Sequence, residues 1–166
     1  MDKMKQKIVL IIIGIITFAI LGAGAWLLSR PVGVVVEKSD QAKAEVTEKN
    51  HDWGEIKING GKVEKIFLIK NTGSGPLKLS DVSTSCMCTT AQVIIDGKGG
   101  PLFGMHQKSS WVGEVPAGKE AELKIVFDPA FHGPSGVGAM TRQIEVATND
   151  KNNPKLEFML KGVVVK

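Results

Sequence analysis

The sequence predicts an all-β sandwich of two sheets carried behind one apolar N-terminal helix. Three observations predict it. Residues Ile8–Leu28 carry no charge, hydrophobic residues recur with period two from Glu45 onward, and the alternating runs are separated by clusters of Gly, Pro, Asn and Asp. Period two places successive side chains on opposite faces of a strand, whereas no segment after Leu28 shows the 3.6-residue repeat of an amphipathic helix.

Lys3, Lys5 and Lys7 precede the apolar stretch, and only Arg30 follows closely. At 21 residues the stretch is close to the ~20 needed to span a bilayer as a helix. The basic flank puts residues 1–7 in the cytoplasm and everything after the span outside. Ala23-Gly24-Ala25 has the small-x-small form of a signal-peptide cleavage site, the competing reading. Trp26, Leu27 and Leu28 keep the segment apolar beyond that point, which favours an uncleaved single-pass anchor over 8–28. Either reading exports the rest. Residues 29–44 read as a linker, and 45–166 as the sandwich.

Val63, Lys65, Phe67 and Ile69 share one face of a strand, with Glu64, Ile66, Leu68 and Lys70 on the other, so the second face is expected to be partly covered. Asn71-Thr72-Gly73-Ser74-Gly75-Pro76 is a turn. Leu77, Leu79 and Val82 begin a second strand that runs into Cys86-Met87-Cys88. Leu123, Ile125 and Phe127 alternate up to Asp128-Pro129. Ile144, Val146 and Thr148 form another run, and Leu156, Phe158 and Leu160 another after the 149–154 turn. Six or seven short strands in this length suggest a sandwich of immunoglobulin-like type. Two segments break the rhythm and read as long loops: 96–114, with Met105, His106 and Trp111, and 131–138, with His132.

The order His51-Asp52-Trp53-Gly54, Asn71-Thr72-Gly73, Ser85-Cys86-Met87-Cys88-Thr89 and Thr148-Asn149-Asp150 resembles the bacterial family called domain of unknown function 1573. That family's sandwich is related to Hydin and major-sperm-protein domains. The resemblance covers roughly 46–164; Met87 stands where the family usually has Gly, which marks a Cys-Met-Cys subgroup. It implies fold and export but no activity.

The net charge of +4 falls to about +2 once the N-terminal lysines are set aside, with no basic cluster, so nucleic acid is not an expected partner. No GxSxG, HExxH, phosphate-loop or paired-carboxylate signature is present, and no enzymatic role is expected.

Cys86 and Cys88 are the chain's two cysteines. A bridge between them would close too small a loop to act as a staple. If the strand continues through them, their Cα atoms stand about 6.5–7 Å apart on one face, wider than the 5.5–6 Å of a disulfide. The expectation is therefore two parallel thiols, between which a bridge would need a bend and would be easily reduced. Such a pair suits a soft metal ion, copper first and zinc as the alternative. Cys86 and Cys88 would be the central ligands, His106 and His132 the imidazole additions, and Met105 or Met140 a weak thioether. Against this stand two inert buried thiols, a dithiol redox partner, and a metal-free module that assembles with another cell-envelope protein. His51 reads as a turn residue.

Overall fold

The computed structural model describes residues 3–28, 36–105 and 109–166. The chain divides into two compact units, 1–32 and 33–166. The first holds α1 (Lys3–Leu28), a single helix of 26 residues. Among the described residues no helix is long and apolar enough to cross a membrane.

The second unit is an all-β sandwich of two five-stranded sheets. Its strands are β1 (Ala44–Glu45), β2 (Asn50–Lys57), β3 (Val63–Asn71), β4 (Leu77–Thr84), β5 (Thr89–Ile95), β6 (Lys98–Phe103), β7 (Val112–Val115), β8 (Glu120–Phe127), β9 (Gly138–Thr148) and β10 (Lys155–Val165). One sheet runs β1-β3-β8-β5-β6 and the other β2-β10-β9-β4-β7, with β2 and β10 parallel. Alternation explains the core. Phe67 and Ile69 from β3, Leu123 and Ile125 from β8, Ile144 and Val146 from β9, and Phe158 and Leu160 from β10 are buried together between the sheets. Burying each such side chain contributes about 1.5–3 kcal/mol.

Four expectations are corrected. The outer face of β3 is open rather than partly covered, since Ile66 is 45% and Leu68 48% exposed. Much of the presumed 96–114 loop is strand: β6 pairs with β5 across a tight turn at Asp96-Gly97, and β7 pairs with β4. Asp96 and Gly97 both take positive φ there, as a two-residue hairpin turn requires. The strand through Val82 does not continue into the cysteines, because β4 ends at Thr84. A bulge between Ser80 and Ser83, with Asp81 at φ 45°, shifts its register just before that end.

The fourth concerns the linker. Residues 39–44 already belong to the sandwich: Ser39 bridges to Asp150, Ala42 is buried, and Gly75 N donates to the Gln41 carbonyl. Gly73 permits this approach, since a Cβ there would stand 2.0 Å from the Gln41 oxygen. The Asn-Thr-Gly and Thr-Asn-Asp motifs are therefore structural. Asn71 Nδ2 donates to the carbonyls of Gly75 and Val115, and Asn149 Oδ1 accepts from Lys78 N.

Asp150 is the acidic member of this hub. Its carboxylate accepts from Ala44 N, Asn152 N and Asn153 Nδ2. Burial alone would raise its pKa, but these hydrogen bonds outweigh burial and hold it below the ordinary aspartate value. A depressed folded pKa gives stability that is complete above the unfolded value and lost as pH falls through the folded one. Wild-type stability to urea should therefore decline as pH drops below about 4. Asp150→Asn should be less stable at neutral pH and should show a flatter acid limb; an unchanged limb would remove Asp150 from this role.

Candidate functional site: the cysteine corner

Two of the connections that pass from one sheet to the other meet at one end of the sandwich. The turn 85–88 leaves β4 and enters β5, while 128–137 leaves β8 and enters β9. Because β5 lies beside β8 and β4 beside β9, the two crossovers run next to each other. Thr89, the first residue of β5, pairs with Phe127, the last of β8, and Asp128 N donates to the Cys88 carbonyl. The topology thus brings the cysteine turn against the His132 loop.

The corner is tightly held. Thr84 Oγ1 donates towards the carbonyls of Cys86 and Thr89, each at 3.0 Å, and Thr89 N donates to the Cys86 carbonyl. Ser85 N donates to the Gln143 carbonyl, and Gln143 N donates to Ser85 Oγ. This bend brings the Cα atoms of Cys86 and Cys88 to 5.3 Å, and the two residues are joined as a disulfide. The expectation of parallel thiols on a continuing strand is corrected: the chain turns here because it changes sheets, which is the bend a bridge requires.

Each sulfur has its own surroundings. Cys86 is half-buried, and its Sγ lies 3.4 Å from His132 Nε2 and accepts from Cys88 N at 3.4 Å. Cys88 is only 3% exposed, and its Sγ accepts from Arg142 Nε at 3.1 Å. Met87 between them points to solvent at 61% exposure. The ligand atoms of Cys86, Cys88 and His132 all lie within 4.8 Å of one another.

The remaining expected residues divide. Met140, at 7% exposure, packs in one apolar cluster with Cys88, Phe127 and Val164. Met105 forms an isolated bridge with Thr84, two residues before Cys86. His106 lies outside the described residues. His51 meets Trp53 edge-on at the start of β2 and is not a member of the three-ligand group. A concavity lined by Ile58, Ala130, Pro134 and Val137 borders the His132 loop but contains neither sulfur.

Sequence reasoning missed Arg142. Its guanidinium lies 5.6 Å from the centre of the Phe127 ring, which itself stacks on Trp53. Burial lowers its pKa from the ordinary value, yet a guanidinium stays charged in a protein. A parity signal was available. In β9, Met140, Ile144, Val146 and Thr148 are buried, and Arg142 shares their phase, so a cation stands in a core-facing position. It does so where β9 runs on past the end of β4, leaving room for the cysteine corner.

Residues 44–97 match the model of a family described as "Protein of unknown function (DUF1573)". The match includes the Asn-Thr-Gly turn and the cysteine corner. No curated protein sequence matches the chain. Among solved structures, a protein of unknown function from Porphyromonas gingivalis W83 is similar over 81% of this chain at 21% identity, with a TM-score of 0.56. The present chain covers 51% of that protein, about half its length. A PapD-like domain of human CEP192 aligns with 82% of this chain and 96% of its own at 19% identity and a TM-score of 0.49. The YadV chaperone aligns with 74% of this chain and 52% of its own at 11% identity and 0.45.

Proposed function

We propose that the sandwich carrying this DUF1573 segment is a membrane-tethered, extracytoplasmic, non-enzymatic binding domain that holds a soft metal ion, copper first, at the cysteine corner. One observation carries the metal reading: Cys86 Sγ, Cys88 Sγ and His132 Nε2 lie within 4.8 Å of one another on two different loops. Two thiolates and an imidazole form a ligand set suited to Cu(I), with zinc as the alternative. Both sulfurs accept hydrogen bonds from N–H donors, so each is already in polar company. The buried Met140 thioether packs in the same cluster as Cys88.

Ligation requires the dithiol. Reduction of the bridge takes two electrons and two protons from an external dithiol, and metal binding then releases the thiol protons. The observed bridge also favours a second reading, in which the pair is a redox couple that never holds metal. Its closed loop spans one intervening residue, so loop closure contributes little to keeping it oxidised.

Titrating the reduced protein with Cu(I) against a chromophoric chelator separates the two. The metal reading expects one ion per chain. Binding should be lost in the Cys86→Ser, Cys88→Ser double variant and weakened about 10–100-fold or more in His132→Ala. A reduced wild type that takes no ion contradicts the metal reading and leaves the redox one.

Tethering rests on the sequence of Ile8–Leu28, uncharged and behind three lysines. The full chain should remain with membranes after alkaline carbonate extraction, and a chain lacking 3–28 should be released. Release of the full chain would contradict the tether.

A further inference from the structure

The geometry points to Arg142 as the residue that sets which ion the cysteine corner accepts: a monovalent soft cation, Cu(I) or Ag(I), over a divalent one. This deepens the metal reading above and rests on it.

The argument is one of charge. Cys86 and Cys88 as thiolates supply two negative charges, His132 joins as a neutral ligand, and Arg142 supplies one fixed positive charge at 3.1 Å from Cys88 Sγ. Before an ion arrives the group carries −1. A monovalent ion brings it to zero, whereas a divalent ion leaves the group, guanidinium included, at +1. Cys88 is almost fully buried and Arg142 half-buried, so water cannot fully screen the excess.

Arg142 is poorly placed to move away. Its register partner on β10 is Leu160, which is buried in the core. Its head lies over the Phe127 ring, and its Nη1 donates to the Thr141 carbonyl. An ion bound to Cys88 Sγ, at a bond of about 2.3 Å, would stand on the order of 5 Å from the guanidinium. At an effective dielectric of about 20, one extra unit of charge at that distance corresponds to more than a hundredfold in affinity. The solvent-facing side of the site reduces this to about tenfold.

The charged groups facing the corner from neighbouring elements do not cancel Arg142. Asp128, at the head of the His132 loop, pairs with Lys62, and Glu145 on β9 pairs with Lys155. Gln143 and Ser85 are neutral.

The test measures affinities of the reduced full chain for Ag(I) and Zn(II), in wild type, Arg142→Gln and Arg142→Lys. Arg142→Gln should shift the ratio of the two affinities towards zinc by about tenfold or more, while Arg142→Lys, which keeps the charge, should stay near wild type. A merely structural role would weaken both ions alike. An Arg142→Gln ratio equal to wild type, or equal loss for both ions, overturns the proposal while the metal site stands. Binding of neither ion by wild type overturns this proposal together with the metal reading.

Discussion

The structure depends on a pairing constraint. Strands β4 and β9 are neighbours in one sheet, β5 and β8 are neighbours in the other, and the β4–β5 and β8–β9 connections both cross between the sheets at the same end. Two crossovers that must run side by side leave little freedom in where their loops meet. The cysteine turn and the His132 loop therefore converge as a consequence of strand order, and the hydrogen bond from Asp128 N to the Cys88 carbonyl ties them together. The buried core supplies rigidity, and the Thr84 hydroxyl and the Ser85–Gln143 bonds fix the turn on it. Small ligand sets need such support, because side chains on unsupported loops do not hold a fixed geometry.

Much of the fold was legible. The runs ending at Asn71, Phe127 and Thr148 alternate cleanly because each has one face in the core, and turn residues bound them. Strand β6 was not legible, since Lys98-Gly99-Gly100-Pro101 offers no apolar alternation; backbone pairing with β5 makes it a strand. The end of β4 was hidden for a different reason. Leu77, Leu79 and Val82 suggest a strand still in progress, while the bulge at Asp81 just before its end forms against β9.

The candidate site was legible in part for reasons of composition. A chain with so few sulfurs and imidazoles draws attention to Cys86, Cys88 and His132, and these do meet. What composition could not show is that the pair sits on a corner rather than a strand, which changes its spacing and permits a bridge. Nor does composition weigh a single arginine among many basic residues. Arg142 stands out only through its phase in β9, where a charge occupies a position whose neighbours two and four residues further on are core.

The metal account unites these features: a corner that brings two sulfurs together, a second loop that adds an imidazole, and a fixed cation that limits the charge the site accepts. Its central claim is that one ion is held by both cysteines and His132. X-ray absorption at the copper edge of the reduced, Cu(I)-loaded chain tests that claim most directly. The account predicts a first shell of two sulfur scatterers and one imidazole nitrogen, with the nitrogen lost in His132→Ala. A shell without sulfur, or one unchanged by loss of both cysteines, would contradict it.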